Sequence, residues 1–183
     1  MAIWVTSDTH FNHDHIRKYC ERPFSSCDEM DGRIIYNWNT LVQAGDTIYH
    51  LGDFCFGKQE LIKQYRYRLN GKIHLILGNH DYKNKLRNVS NIFSSVNDLL
   101  EIKYNGQRII LCHYAMRTWS SSHSNSIQLY GHSHGNMPGV GKQMDVGVDC
   151  WDFKPISIDQ VIAIMETRPN NATFIPPEQR NKL

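Results

Sequence analysis

The chain lacks any apolar run approaching the ~20 residues that a membrane-spanning helix requires, so no transmembrane helix is expected. Charge of neither sign dominates: 20 Lys and Arg are scattered among 18 Asp and Glu, for a formal net charge of +2. No Lys/Arg stripe stands out, which argues against dedicated duplex nucleic-acid binding. Five cysteines, Cys20, Cys27, Cys55, Cys112 and Cys150, form no Cys-x-x-Cys pair. That removes the simplest structural-zinc and dithiol readings. Their odd number, and a start "MAIWVTSDTH" without a signal peptide, lead us to expect reduced thiols in a cytoplasm. There is no internal repeat and no low-complexity tract. Prolines number six, three of them within residues 168–183. What remains is an ordinary globular composition, 40% hydrophobic and 21% charged, in a length of 183 residues that supports one domain with a substantial core. We expect a single domain over residues 1–167 and an extended tail over 168–183.

Histidine, by contrast, is abundant. There are ten, and five of them (His10, His80, His113, His132 and His134) stand at the ends of apolar runs, all but His113 close to Gly, Asp or Asn. The runs themselves read as an α/β alternation. "AIWVTS" (2–7), "TIYHL" (47–51) and "KIHLIL" (72–77) are short buried strands. Between them lie a short helix near 13–20, a helix opened by the capping box Ser26-x-x-Glu29 and ended at Gly45, and an amphipathic helix over 58–69. Beyond residue ~95 the pattern changes to β-rich runs around Asn105-Gly106, a hairpin signal. Strands at 126–131 and 143–149 follow, and then "SIDQVIAIMETR" reads as a capped helix or a strand followed by one.

Each strand exit carries a nitrogen or oxygen donor: Asp8-x-His10, Gly52-Asp53, Gly78-Asn79-His80-Asp81, His113, and Gly131-His132-Ser133-His134. Any one of these alone reads more simply as a solvated loop or turn. Together, Asp8, His10, Asp53, Asn79, His113, His132 and His134 are too many donors for one tetrahedral zinc. They suit two five- or six-coordinate divalent ions that share a carboxylate, an arrangement able to clamp an in-line displacement at phosphorus. His50 and His74, inside apolar strands, read as satisfied interior residues rather than ligands.

The order D-x-H, G-D, G-N-H-D, H, G-H-x-H resembles that of the calcineurin-like metallophosphoesterases, over roughly residues 3–165. "SDTHFNHDHI", "RPF", "HYAMRTW", "LYGHSHG" and "DVGVDCW" look like a small, single-domain bacterial and phage branch of that superfamily. The resemblance implies a four-layer α/β/β/α sandwich with two mixed β-sheets. It implies two divalent metal ions, Mn²⁺ foremost, with Fe²⁺, Zn²⁺ and Ni²⁺ compatible with the same ligands. One ion would take Asp8, His10, Asp53 and His134, and the other Asp53, Asn79, His113 and His132, with Asp53 bridging. A metal-bridging hydroxide would attack the phosphate ester while His80 serves as acid for the leaving oxygen and Asp81 orients the His80 imidazole.

For substrate contacts we single out Arg117, flanked by Tyr114 and Trp119, together with His123, His13 and Arg22. The expected substrate is a small phosphorylated molecule. A phosphodiester of nucleotide or cyclic-nucleotide type is favoured, because its leaving oxygen suits an acid histidine in a small open site. A phosphomonoesterase or protein phosphatase on the same fold is the nearest alternative. A non-catalytic scaffold and a nuclease are more distant ones. The sequence leaves the oligomeric state open.

Overall fold

The computed structural model describes residues 1–83 and 86–171. The expected tail lies, from residue 172 onward, outside these residues.

The apolar runs form their strands within a residue or so of expectation: β1 (Ile3–Thr6), β2 (Thr47–His50) and β3 (Lys72–Ile76). Helix α1 (Asp14–Tyr19) follows β1, and α2 (Cys27–Leu41) starts where Ser26 Oγ accepts the Glu29 N–H at 3.1 Å. The Glu29 carboxylate turns instead to the Ser25 N–H at 2.7 Å, so only half of the capping box forms. The stripe Met30, Ile34 and Trp38 is fully buried, as its helical spacing requires. Helix α3 (Gln59–Tyr67) precedes β3, and the short α4 (Asn79–Lys83) follows it. Then come β4 (Ser95–Asn97), β5 (Leu99–Tyr104), β6 (Gln107–Cys112), β7 (Ile127–Tyr130), β8 (Gln143–Asp145), β9 (Ile156–Ser157) and α5 (Ile158–Glu166). At the β5–β6 turn Asn105 and Gly106 have φ of 48° and 83°, the left-handed pair that a tight hairpin needs. Helix α5 has a complete capping box between Ser157 and Gln160.

The strands build two mixed sheets. The first has the order β4-β3-β2-β1-β9, parallel except for antiparallel β9. The second has the order β5-β6-β7-β8, parallel except for antiparallel β5. Strand alternation divides the core in two. Ile48, Ile73 and Leu75 pack outward with Ile34 and Trp38 of α2 and Ile62 of α3. Val5, Leu51 and Ile76 face inward onto Ile109, Leu111, Leu129 and Met144 of the second sheet, with Val161 and Met165 of α5 joining them. The outer face of the second sheet meets the segment after β6, where Gln128 accepts the Met116 N–H at 3.3 Å and donates to the Tyr114 carbonyl at 3.3 Å. This is the α/β sandwich of two mixed sheets that the sequence led us to expect.

The topology places the chemistry. The parallel strands β1, β2 and β3 in one sheet, and β6, β7 and β8 in the other, release their carboxyl ends toward one cleft, where α/β sheets bind their ligands. The two sheets are stitched there by a parallel bridge between Ser7 and Gly147, and Gly131 N–H donates to the His113 carbonyl at 2.9 Å. Edge strands β4 and β9, three and two residues long, were too short to show a period in sequence.

Candidate metal centre

Five loops bring the donors together. Asp8, His10 and His134 can present one ligand atom each within 4.8 Å of one another, and so can Asp53, His113 and His132. The two groups meet at Asp53: its Oδ2 lies 3.6 Å from His10 Nε2 and 3.6 Å from His113 Nε2. His80 approaches the same oxygen at 3.9 Å through Nε2. Five of the seven donors, Asp8, His10, Asp53, His132 and His134, have φ between 48° and 67°. Non-glycine residues adopt that left-handed backbone at a cost of roughly 1 kcal/mol or more each, and such strain concentrates at functional sites.

Glycine makes the close approach possible. A Cβ on Gly131 would run into Ser7 Oγ and Asp8 Oδ2, and one on Gly78 would strike the Asp53 carboxylate.

Hydrogen bonds fix which imidazole nitrogen faces the cleft. His113 donates from Nδ1 to the Leu51 carbonyl at 2.7 Å, which leaves the Nε2 lone pair aimed inward. That lone pair sits 3.1 Å from Asn79 Oδ1, another acceptor. His134 donates from Nδ1 to Asp149 Oδ2 at 2.7 Å and likewise turns Nε2 toward Asp8 and His10. Burial lowers the pKa of His10 and His113, so both stay neutral with lone pairs to offer. Burial also pushes the Asp8 carboxyl up to about 8, with nearby Asp53 and Asp145 adding to the shift. For His134 burial works downward, but the hydrogen bond to Asp149, the contact with Cys20 and the charge of Asp8 carry it up to about 10.

These residues fit divalent cations. Asp8 Oδ1 and His10 Nε2 are buried without a hydrogen-bond partner, a costly condition that a cation would relieve. Opposed acceptors at His113 and Asn79 are explained the same way. The donor set is nitrogen and oxygen, which suits borderline-hard ions.

Several placements revise the sequence reading. Asp81 does not meet the His80 imidazole. Its carboxylate, fully buried, accepts the N–H groups of Asp53 at 2.8 Å, Phe54 at 3.0 Å and Gly78 at 2.9 Å. It holds the Asp53 loop, and burial pushes its pKa up to about 7 against the pull of those donors. Arg22 does not face the cleft either. Its buried guanidinium pairs with Asp149 through Nε at 2.7 Å and Nη2 at 2.8 Å, and donates to the Asp8 carbonyl at 2.7 Å and the Thr9 carbonyl at 3.2 Å. It ties the Asp8–His10 loop to the carboxylate that orients His134.

Arg117 is exposed, and no described hydrogen bond joins its guanidinium to the cluster; its carbonyl accepts from Asn171 at 3.1 Å. His123 is exposed in the same loop region, whose described contacts run to Gln107, Arg108 and Asn170. His13 does join the cluster: its Nδ1 lies 3.4 Å from His10 Nδ1. His50 is satisfied inside the fold, taking the Gly52 N–H on Nδ1 and facing Thr9 Oγ1 from Nε2 at 3.0 Å. His74 pairs with Ser95.

Four participants were missed. Asp145 accepts from Ser133 Oγ at 2.7 Å, Gly135 N–H at 3.0 Å and Gly147 N–H at 2.8 Å, and so shapes the His132–His134 loop. Asp149 orients His134, and Cys20 lies beside both. Phe56 stacks on His13 with ring centroids 4.7 Å apart. The available signal was "DVGVDC" after a strand, which carries two carboxylates at yet another strand exit.

A family model, the calcineurin-like phosphoesterase superfamily domain, matches residues 1–145. The chain is 35% identical over 174 residues to an uncharacterized protein of Methanocaldococcus jannaschii, covering 90% of this chain and 91% of that one. It is also similar to the crystal structure of a protein of unknown function from Aquifex aeolicus, with a TM-score of 0.72 and 25% identity over 89% of this chain and 98% of the other. Among the described residues no helix is long and apolar enough to cross a membrane. With two mixed sheets converging on a cleft of Asp, His and Asn donors, the chain belongs to the calcineurin-like phosphoesterase superfamily, hydrolases of phosphate esters.

Proposed function

We propose that the protein is a binuclear metal-dependent phosphodiesterase. The observation that carries this reading is Asp53 Oδ2, 3.6 Å from the inward nitrogens of both His10 and His113, between two groups that could each hold an ion. Asp8, His10, Asp53 and His134 would hold one cation, and Asp53, Asn79, His113 and His132 the other. When bound, such a pair supplies positive charge for the phosphoryl oxygens and brings the pKa of a water nucleophile toward neutrality. Mn²⁺ is our first choice on ligand type, and Fe²⁺, Zn²⁺ and Ni²⁺ suit the same donors.

The chain's own groups do the rest. Asp81, through three N–H contacts, keeps the Asp53 carboxylate aimed between the two donor groups. Arg22 and Asp149 fix the tautomer and angle of His134, as outer partners of metal-binding histidines do. His80 is the partly exposed imidazole at the cleft, its backbone N–H anchored on Asp53 Oδ1 at 2.9 Å. It can deliver a proton to a departing ester oxygen. A diester suits this arrangement, because His80 can serve one ester oxygen while the second substituent extends into the open cleft.

The test is hydrolysis of bis(p-nitrophenyl) phosphate by Mn²⁺-loaded protein, measured beside p-nitrophenyl phosphate and a phosphopeptide. Faster turnover of the diester is expected. His80→Ala should cut kcat by about 100-fold, within the range of general-acid contributions, with metal content unchanged. Preferential cleavage of the monoester or the phosphopeptide would replace the diester assignment, and undiminished kcat in His80→Ala would remove the acid.

A further inference from the structure

We propose that Phe56 and Tyr114 are specificity-determining residues forming a stacking subsite for a planar group, which makes a nucleotide ester the substrate class. The inference rests on the phosphodiesterase reading above and names the substituent that the site prefers.

Aromatic rings flank the donor cluster at both ends. At one end Phe56 lies nearly parallel to His13, at an interplanar angle of 15°, and its centroid is 6.1 Å from that of His80. At the other, Tyr114 stands steeply inclined to His113 and His132, at interplanar angles of 73° and 70° and centroid distances of 4.9 and 4.8 Å. Both rings remain open to solvent, Phe56 being 42% and Tyr114 45% exposed. The chain elsewhere exposes aromatic rings too, but among the residues with described ring contacts to His80, His113 or His132 these are the two exposed non-histidine rings.

Phe56 is the sharper observation, since a phenyl ring gains nothing from water. Its neighbours Phe54 and Cys55 are buried, and Cys55 bridges to Phe11. The Phe56 N–H donates to the Phe11 carbonyl at 2.8 Å, and its own carbonyl accepts from Asn12 Nδ2 at 2.9 Å. The backbone is therefore pinned on both sides, and the ring is held at the cleft without being drawn into the core. His13 covers one part of it and lies 5.6 Å, centroid to centroid, from His80. The result is an exposed ring on an anchored backbone, stacked on His13 and beginning beside the candidate acid.

A flat shelf next to the reacting phosphate matches a nucleobase by stacking. Every base offers a π-face, so this contact tolerates any base identity. Two flanking rings fit an ester whose substituents leave phosphorus in two directions. A sugar phosphate without a base would meet the same cations but leave both rings uncovered.

The experiment is calorimetric titration of Mn²⁺-loaded protein with AMP and with ribose 5-phosphate, which differ by the base alone. Wild-type protein should bind AMP about tenfold more tightly, the scale of one base–aromatic stack. Phe56→Ala should erase most of that ratio while ribose 5-phosphate binding holds. Phe56→Trp, which restores an aromatic face, should recover it. Tyr114→Ala, at the other end, should leave the AMP ratio in place and instead raise KM for a dinucleoside monophosphate. Equal affinity of wild-type protein for the two probes, binding of neither, or an equal loss for both probes in Phe56→Ala would overturn the subsite. Failure of the parent reading looks different: no turnover of bis(p-nitrophenyl) phosphate, or preference for the monoester or phosphopeptide, whatever the AMP to ribose 5-phosphate ratio.

Discussion

The two ends of the donor cluster are built differently. Around Asp8, His10 and His134 the protein is closed: Asp8 is inaccessible and His10 only 2% exposed. There the buried Arg22, paired with the partly buried Asp149, ties together loops that are more than a hundred residues apart in sequence. At the other end His113 is just as inaccessible, and only His132 opens to solvent. His113 rests on the Leu51 carbonyl, while His132 is exposed, with its backbone N–H on Asp8 Oδ2 at 2.9 Å and its ring against Tyr114. On the two-ion proposal the difference teaches that one cation pocket would be part of the core, preorganised by the Arg22–Asp149 pair, whereas the other would be completed by an exposed side chain. A tight ion and an exchangeable one should follow.

Breaking the comparison altogether takes Asp53, the one residue common to both ends. Asp53→Ala should remove both ions, as read by metal analysis after gel filtration. Activity should fall by well over about 100-fold, since loss of even an outer partner of a metal ligand costs about 10–100-fold. A variant that retains two tightly held ions would show that Asp53 bridges nothing.

Next in size are changes confined to one end. Asp149→Ala should weaken the tighter ion by about 10–100-fold while leaving the weaker one in place, and Arg22→Gln should do the same more mildly. His132→Ala should have the converse effect, stripping the weaker ion at low Mn²⁺ and keeping the other. Two-site titration with Mn²⁺ and the disappearance of the spin-coupled Mn²⁺ signal would separate these. If Asp149→Ala and His132→Ala weakened both ions alike, the division into a closed and an open pocket would be wrong.

The smallest effect is a pH dependence that sharpens the closed end. With its pKa raised from 3.8 to about 8, Asp8 binds a proton more tightly in the folded than in the unfolded metal-free chain. The Asp8 contribution to that protein's stability should therefore fall as pH climbs from about 4 through about 8, against the opposite slope of the lowered His10 and His113. His134, raised from 6.5 to about 10, contributes stability that is fully present below about pH 6.5 and fades as pH rises toward 10. The Asp8 and His134 signs agree. A cation displaces these protons, so the Tm gain on adding Mn²⁺ should be larger at about pH 8 than at about pH 5. A gain that is flat with pH would contradict the proton assignments.

Much of the scaffold was legible because strand exits are punctuated. Apolar runs ended by Gly-Asp, Gly-Asn-His-Asp or Gly-His-Ser-His mark where a buried strand stops and a polar loop must begin. The Met30, Ile34, Trp38 stripe and the Asn105-Gly106 turn carry their own local periodicity and backbone demand. Substrate contacts were read less well. Arg117 stands near His113 in sequence, yet its guanidinium is exposed with no described hydrogen bond to the cluster. Arg22 was expected among the substrate contacts, but its burial and its pairing with Asp149, a partner 127 residues away, decide otherwise. Asp81 sits next to His80, but its position in the short α4 points the carboxylate at the N–H groups of the neighbouring loop.

By itself, then, the sequence determined which donors exist and that each would sit at the end of a strand, since residue type and apolar periodicity are local properties. Only the tertiary structure decided how those ends converge, through parallel pairing in two sheets that are joined at Ser7 and Gly147. It also decided which carboxylates reach between donors and which secure the loops. That choice depends on distances and desolvation among residues far apart in the chain, which no single stretch of sequence encodes.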